Sequence, residues 1–486
     1  MSAVCAPTPQ GTGSVPTSGS LPRGFVARLA AETKSCDGGT TLIGTTTGRL
    51  VHLRAEAAQA LDGRRVEVVD GVTAALARLL LDRDLAHPSW DRPGVDDEVR
   101  DVTVVVPVRD RALQLARLLE ALPAGIATIV VDDGSLDEVA TARLAREFGA
   151  RLVRHPSSRG PAAARNSGLR QVTTPYAVFV DSDVVPVPGW LGSLRRHFDD
   201  PRVGLVAPRV LGIEQADGAT WLHRYEAVRS SLDLGATPAA VHPHGRVAYL
   251  PSAALMVRCT AYGSGFDESL HVAEDVDLVW RTHEAGWRVR YEPAALVRHE
   301  HRTDVSHWLS RKAFYGTGAA LLAARHGEAV APMVLAPWTA ALTVVLLAQR
   351  RWSLPVAAVI CALTTLRISR RLSRSSRPVA TAATLTAVGA VATLHQTASA
   401  LTRHYWPLAV AAALVSRRAR RALLVAAVAD GLLDHRRTKP DLDPLRYLAA
   451  RRLDDLGYGT GVWLGAFRGR SAGALRPALR GFDFRH

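Results

Sequence analysis

Lysine is scarce in this chain of 486 residues. Only three lysines occur among the 60 basic residues, so arginine supplies nearly all the positive charge behind the net charge of +15. Runs of basic residues interleaved with aromatics, which are typical of nucleic-acid platforms, are missing. Because alanine is abundant as well, we interpret the arginine excess as a coding bias as much as a selected surface. No nucleic-acid partner is expected.

Paired cysteines and a secretory signal are also missing. The four cysteines lie far apart and none forms a Cys-X-X-Cys pair, which argues against a cysteine-ligated zinc site. Residues 1–23 form a leader rich in Ser, Thr, Gly and Pro, without the basic start and apolar core of a signal peptide. We therefore expect the body of the chain to face the cytoplasm.

The length of the chain exceeds one ordinary hydrophobic core, so several domains are expected. Short paired strands at 40–44 and 50–53, followed by a helical pattern at 71–81, predict a small α+β domain over 24–92. A Pro- and Asp-rich linker follows at 93–100. Residues 101–310 alternate apolar strands with amphipathic helices, which predicts an α/β domain with a parallel, doubly wound sheet.

An apolar helical region is predicted at 311–430, before a basic tail at 431–486. Residues 331–349 carry no charge and are just long enough to span a bilayer, and arginine clusters separate the later apolar runs. Basic loops at every junction do not fit the alternation that the positive-inside rule requires. We therefore favour a re-entrant hairpin or helices lying on the inner membrane leaflet. An ordinary Ala-rich helical bundle is the alternative.

The segment Asp181-Ser-Asp183 directly follows a run of β-branched and aromatic residues at 176–180. A buried strand with this ending delivers two carboxylates to the carboxyl edge of the sheet, where open α/β sheets bind their ligands. Paired carboxylates suit Mg²⁺ or Mn²⁺, which in turn hold a diphosphate. Since Asp-X-Asp is also common in ordinary turns, the assignment depends on its neighbours in the fold.

Three other segments are predicted to share that edge. Pro107 and Asp110 follow one predicted strand, and Asp132-Asp133 follow the next. A carboxylate there can accept hydrogen bonds from a base N–H and a ribose hydroxyl, which would select a nucleotide. The helix that opens with GPAAARNSG places Arg165 where its guanidinium can help to hold a diphosphate.

A second acidic pair, Glu274-Asp275, begins a helix far along the chain. A carboxylate at a helix N-terminus is well placed to act as a general base on the opposite side of the substrate. Asp277, in the same helix, is interpreted as a capping or solvated residue.

The motifs resemble those of the family 2 glycosyltransferases, inverting enzymes of the GT-A fold. The resemblance rests on VVDDGS, GPAAARNSG, VFVDSDVVP, YLPSAALMVR and AEDVDLVWR, which occur in the family's order. Within the family the chain looks most like the glycosyltransferases of the mycofactocin system, which add glucose to a redox cofactor derived from a ribosomal peptide. Residues 24–92 resemble the small PqqD-like domains that recognise precursor peptides; an unrelated winged or α+β domain is the alternative.

The resemblance implies a UDP-glucose donor and a divalent metal ion. Asp132 or Asp133 would contact uracil and ribose, and Arg165 would lie near the nucleotide. Asp181 would face the ribose or the metal, with Asp183 as the principal metal ligand. The residues themselves favour a nucleoside diphosphate sugar but do not distinguish glucose from other sugars.

The resemblance also implies that Asp275 deprotonates the acceptor hydroxyl while Glu274 helps to position it. His299 and His301 follow a predicted strand, where family members often place a histidine near the metal or leaving group; a solvated loop is the alternative. The segment Trp280-Arg281 departs from the Gln-X-X-Arg-Trp signature of the processive branch, so a short oligosaccharide is expected rather than a polymer.

Two other functions are compatible with the sequence. The apolar region could hold the catalytic domain against a polyprenyl-phosphate or cell-wall glycan acceptor at the membrane. Alternatively, the protein could be a scaffold that binds a precursor peptide and carries a vestigial transferase. The presence of every acidic position that the chemistry needs favours an enzyme.

Overall fold

The structure is a computed structural model that describes residues 19–45, 48–213, 219–300, 304–372 and 375–480. The chain divides into two compact units. The first, called here the sheet unit, comprises Met1–Ala30, Ala60–Asp217 and Arg229–His301. The second, the helical unit, comprises Ala31–Gln59, Gly218–Val228 and Arg302–His486.

The N-terminal segment forms two small antiparallel sheets and two helices. Its elements are β1 (Val26–Leu29), β2 (Thr33–Cys36), β3 (Thr41–Gly44), β4 (Leu50–His52), α1 (Ala55–Gln59), β5 (Arg65–Glu67), α2 (Gly71–Asp82) and β6 (Ala86–Pro88). The order β5-β1-β6 lies in the sheet unit and the order β2-β3-β4 in the helical unit. The predicted strand pair and the predicted helix are confirmed as β3–β4 and α2. A single PqqD-like domain over 24–92 stays a prediction.

The described part of the sheet unit is built around a nine-stranded sheet. Its strands are β7 (Val102–Val108), β8 (Ala127–Asp132), β9 (Arg151–Arg154), β10 (Tyr176–Val180), β11 (Val184–Pro186), β12 (Val203–Gly212), β13 (Ala239–Ala240), β14 (Ala254–Arg258) and β15 (Arg288–His299). Their order is β11-β15-β12-β14-β10-β7-β8-β9, and β13 pairs with β15.

The sheet is mixed, so the predicted all-parallel arrangement was wrong for part of it. Strands β10, β7, β8 and β9 are parallel neighbours, as predicted. However, β14 lies antiparallel between β10 and β12, and β11 is antiparallel to β15. A fully buried strand has a continuous apolar run in either direction, so its pattern does not show which way it runs.

Helices cover the faces of this sheet. The helices of this part of the chain are α3 (Ala112–Ala121), α4 (Glu138–Glu147), α5 (Pro161–Leu169), α6 (Trp190–Arg195), α7 (Trp221–Arg229) and α8 (Glu274–Glu284), of which α7 lies mostly in the helical unit. Leu115 and Leu118 of α3 are fully buried together with Val104 of β7 and Val178 of β10. Apolar residues spaced three apart lie on one face of a helix, which explains this packing.

The helical unit contains seven further helices in its described part. They are α9 (Val305–His326), α10 (Pro337–Ala348), α11 (Ser353–Arg371), α12 (Pro378–Ser399), α13 (Trp406–Val415), α14 (Arg417–Thr438) and α15 (Pro444–Arg468), with β16 (Val334–Leu335) paired to β17 (Ala478–Leu479). Helices α9 and α15 approach closely because Gly316 and Gly461 face backbone atoms of the opposite helix that a Cβ would overlap.

Among the described residues of this unit, two helices have the length and composition to cross a membrane. They are α11 and α12, the latter extended by a π-helical turn to His404. Residues 331–349, just long enough to span a bilayer, do not form one helix: α10 has only 12 residues, and a bilayer needs about 20. Pro337 begins α10 in the middle of the apolar run, and Val334–Leu335 is a strand.

Candidate active site

The Asp-Ser-Asp segment forms a tight turn between β10 and β11. The Asp181 backbone N–H donates to the Ala253 carbonyl at 2.9 Å, and the Val184 N–H donates to the Asp181 carbonyl at 3.0 Å. The turn sits at the carboxyl end of β10, as the sequence predicted, and β10 lies in the middle of the sheet. Both carboxylates remain partly accessible to solvent.

Asp183 faces a histidine and an arginine. Its Oδ1 lies 3.5 Å from His299 Nε2, and its Oδ2 pairs with Arg111. The antiparallel pairing of β11 with β15 places His299 opposite Val184 and so brings the ring to the turn. Burial alone would raise the pKa of Asp183, but the hydrogen bond and charge of His299 and the charge of Arg111 hold it below its usual range.

The donors at this turn fit a divalent metal ion. Carboxylate oxygen suits Mg²⁺ or Mn²⁺, and the 3.5 Å separation between Asp183 Oδ1 and His299 Nε2 would allow the imidazole to bind the same ion. Among the described residues, no preassembled group of three metal-binding side chains is present. The remaining ligands would therefore come from diphosphate oxygens and water. His301 lies outside the described residues.

Arg165 connects this turn to the second acidic pair. It is buried on α5, and its Nη2 donates to Asp181 Oδ1 at 2.6 Å while Nη1 lies 3.2 Å from Glu274 Oε1. The guanidinium also lies 5.3 Å from the centre of the Phe266 ring. Burial alone would lower the pKa of Arg165, but the two carboxylates hold it above its usual range. The guanidinium is thus a fixed cation between two acidic loops.

The small residues of α5 permit this position. All of its residues except the first are buried, and the helix starts at Pro161 after Gly160, whose φ of 90° is accessible to glycine. A Cβ on Gly168 would overlap the side chains of Val105 and Val131. The Ala- and Gly-rich sequence of α5 therefore lets the helix lie directly on the sheet and carry Arg165 to the site.

Asp275 has the properties expected of a general base. Its two carboxylate oxygens accept hydrogen bonds from the Val276 N–H at 2.8 Å and the Ser252 N–H at 3.3 Å. Burial, reinforced by the negative charge of Glu274, raises the pKa of Asp275 to about 7. A carboxyl group with that pKa can gain and lose a proton near neutral pH. Ala273, with a φ of 64°, turns the chain sharply into α8.

Asp132 and Asp133 lie at the end of β8 and are already hydrogen-bonded. Asp132 is fully buried, accepts the Ser135 N–H at 2.9 Å and pairs with Arg154. Asp133 accepts four hydrogen bonds, from His155 Nδ1, Ser158 Oγ and the N–H groups at 159 and 160. Burial alone would raise the pKa of Asp133, but these donors hold it below its usual range. Both carboxylates therefore fix the loop that borders the site.

Pro107 and Asp110 share this edge of the sheet. Pro107 lies opposite Val131 in the parallel pairing of β7 with β8. Asp110 has a positive φ of 55°, and its Oδ1 accepts the Leu136 N–H at 2.7 Å. Its side chain is 40% exposed, more than those of Asp132, Asp133 and Asp181.

Several residues of the site were missed in the sequence. Arg111 follows Asp110 directly, so its place in the same loop was the available signal. His155 gave no local signal: it bridges Asp133, at 2.7 Å, and Ser167 Oγ, at 2.9 Å, only because β9 and α5 meet there. Asp277 was not missed, but it is buried rather than solvated: it pairs with Arg281 at 2.7 Å and so stabilises α8.

The chain is similar to known glycosyltransferases. The sequence profile of the family described as "Glycosyl transferase family 2" matches residues 103–253. The pre-mycofactocin glycosyltransferase of Mycobacterium tuberculosis (strain H37Rv) is 44% identical over 95% of this chain and 99% of its own length. The succinoglycan biosynthesis protein ExoU of Rhizobium meliloti is 27% identical over 46% of this chain and 70% of its own length.

Among solved structures, a mannosyltransferase from Pyrobaculum calidifontis is similar to 63% of this chain at 21% identity, with a TM-score of 0.37. The assignment rests on the relative that aligns over nearly the whole chain and on the family profile over the sheet unit. The chain belongs to the family 2 glycosyltransferases, in the group of the pre-mycofactocin glycosyltransferases.

Proposed function

We propose that this glycosyltransferase moves a hexose, glucose from UDP-glucose, onto a ribosomal-peptide-derived redox cofactor of the mycofactocin type. The transfer inverts the anomeric centre, needs Mg²⁺ or Mn²⁺, and builds a short oligosaccharide. The name of the 44% identical relative supports the acceptor. The departure of the Trp280-Arg281 segment from the processive signature supports the short product.

The arrangement around Arg165 is the observation that carries the proposal. One buried guanidinium contacts Asp181, on the turn that would hold the donor diphosphate, and Glu274, next to the proposed base. The proposed donor site and the proposed base are therefore held in fixed positions relative to each other within the sheet unit. A donor held at the turn and an acceptor held at Asp275 would meet with their reacting atoms preoriented, which lowers the barrier.

The mechanism is a single in-line displacement. Asp275 takes the proton of the acceptor hydroxyl while that oxygen forms its bond to the anomeric carbon. The bond from this carbon to the diphosphate oxygen breaks on the opposite face, through a transition state with oxocarbenium character. Negative charge on the departing diphosphate would be neutralised by a divalent cation at Asp183 and His299. Arg165 keeps Asp181 and Glu274 in place throughout.

The N-terminal segment and the apolar helices extend the proposal. Binding of a precursor peptide is proposed for 24–92, on its resemblance to PqqD-like domains. The cytoplasmic face of the cell membrane is the proposed location. Helices α11 and α12 have the length and composition of membrane helices, and only 17% of the most apolar 18-residue stretch of each is buried.

A second candidate acceptor is a polyprenyl phosphate or a cell-wall glycan. The exposed apolar helices favour it, because they would hold the sheet unit beside a lipid-linked substrate. An acceptor screen separates the two candidates. Transfer to lipid acceptors, with none to a peptide-derived phenol or alcohol, would overturn the mycofactocin-type acceptor and leave the transferase chemistry intact.

The donor and metal are tested by nucleotide release. Purified protein is incubated with a panel of UDP-, GDP- and TDP-sugars and the candidate acceptor, with and without EDTA. We expect release from UDP-glucose that stops with EDTA and returns when Mg²⁺ or Mn²⁺ is added in excess. Equal release from a GDP- or TDP-sugar contradicts the proposed donor, and full activity in EDTA contradicts the metal.

A further inference from the structure

The segment between Glu328 and Asp430 contains no acidic residue. Residues 329–429 carry twelve arginines and no Asp or Glu, whereas the whole chain has 45 acidic residues in 486. At the average density, a stretch of this length would carry about nine. A coding bias can replace lysine by arginine, but it does not remove acidic residues. A coding bias therefore does not explain the net positive charge of the helices that this segment forms.

These helices expose apolar side chains beside the basic ones. Leu347, near the end of α10, is 41% exposed, and Leu414 and Val415, at the end of α13, are 76% and 89% exposed. Trp352, before α11, is 47% exposed. Each lies within a few residues of an arginine pair in the sequence. Side chains of this kind are costly in water but are stable at the level of lipid headgroups and upper acyl chains.

Gln349 joins the turn between α10 and α11 to the turn between α13 and α14. Its Nε2 donates to the Arg418 carbonyl at 2.8 Å, and its Oε1 accepts from Arg421 Nε at 2.8 Å. We call the joined turns the arginine tip; it carries six exposed arginines: Arg350, Arg351, Arg417, Arg418, Arg420 and Arg421. Within the described part of the chain, no carboxylate forms an ion pair with any of them.

The neighbours of the arginine tip decide what it binds. A nucleic acid would also neutralise six guanidinium groups, but it offers nothing to cover Leu414 and Val415. A bilayer surface offers both: phosphate groups for the arginines and acyl chains for the apolar side chains. We propose that the arginine tip binds the headgroups of anionic phospholipids and so seats the helical unit on the membrane. This inference rests on the membrane location proposed above, but not on the transfer chemistry.

Vesicle flotation of the full-length protein tests the proposal. Partitioning is measured on phosphatidylcholine vesicles with and without phosphatidylglycerol, at low and at physiological salt. The test variant replaces four arginines of the tip: Arg417→Ala, Arg418→Ala, Arg420→Ala and Arg421→Ala. The matched control removes the same charge from exposed positions of the sheet unit: Arg23→Ala, Arg143→Ala, Arg146→Ala and Arg151→Ala.

The wild type and the control should partition far better onto the anionic vesicles, and more so at low salt. Since one basic residue near an anionic surface contributes roughly a fivefold gain, the four tip substitutions should lower that partitioning several-hundred-fold. Retained partitioning of the tip variant would overturn the headgroup site. So would equal partitioning of the wild type onto both vesicles, whereas binding to neither would overturn the membrane location itself.

Folding and competition are checked in the same preparation. The tip variant should keep the melting temperature and the nucleotide release of the wild type, so that lost binding reports the surface. Glycerol phosphate and duplex DNA are added as competitors to the wild type on anionic vesicles. Displacement by DNA at concentrations well below those of the lipid would identify a nucleic-acid surface and overturn the proposal; weak, salt-like competition supports it.

Discussion

The pKa of Asp275, raised to about 7 by burial and by the charge of Glu274, sets the expected pH dependence of transfer. The ionised carboxylate is the form that accepts a proton. Below its pKa, kcat/KM should therefore fall about tenfold per pH unit, and above it the profile should level off. Asp275→Asn keeps the size of the side chain but removes the base. We expect its kcat/KM to fall about 10²–10⁴-fold and the acid limb to disappear.

The assay is the initial rate of nucleotide release with the acceptor, across a pH range that brackets 7. Asn has one acceptor oxygen, whereas both oxygens of Asp275 accept backbone N–H groups, so either Ser252 or Val276 loses its partner in the variant. The melting temperature and the affinity for UDP must therefore be measured as well. Both should stay close to those of the wild type if the loss is catalytic.

Glu274→Gln is the matched electrostatic variant. Removing the negative charge beside Asp275 lowers the pKa of that carboxyl, because Glu274 is one of the causes of its elevation. The acid limb should move to lower pH while the plateau keeps a measurable rate. An Asp275→Asn variant with the rate and the acid limb of the wild type would refute the assignment of the base. A limb that moves to higher pH in Glu274→Gln would refute its electrostatic cause.

Three other substitutions test the metal site, the packing of α5 and the nucleotide loop. Asp183→Ala should abolish metal-dependent turnover without changing the far-UV circular dichroism spectrum; full activity would contradict its role as a ligand. Gly168→Ala should lower the stability by about 1–3 kcal/mol in denaturant unfolding, because its methyl group overlaps β7, whereas Gly71→Ala, in open space, should not. His155→Gln removes the bridge that holds Asp133 and should raise KM for the donor more than it lowers kcat; an unchanged KM would contradict this.

Much of the fold could be predicted because local sequence patterns specify its individual strands and helices. The apolar runs of β7, β8 and β10 and the spacing of Leu115 and Leu118 in α3 each fix one element, and the parallel neighbours follow from alternating strands and helices. The direction of β14 could not be predicted, since a buried strand looks the same either way. The true length of α10 was hidden because Pro337 lies inside an uncharged run.

The structure places the described site residues at strand ends and helix starts, but their partners were not predictable. Asp132 and Asp133 carry the family motif, yet the structure shows them bound to loop groups from β9 and α5. Arg165 was expected near the nucleotide; its contacts with Asp181 and Glu274 join residues that are far apart in sequence. Such contacts depend on how the loops pack, and no local pattern contains that information.

The sequence by itself determined the family, the acidic residues and the apolar, arginine-rich character of the C-terminal helices, because motif spacing and composition are local properties. Tertiary structure alone decided that Asp275 titrates near neutrality, since the shift comes from burial beside Glu274. It also decided that Arg165 connects both halves of the site and that six arginines share one tip. These are effects of distance and desolvation, which exist only once the chain has folded.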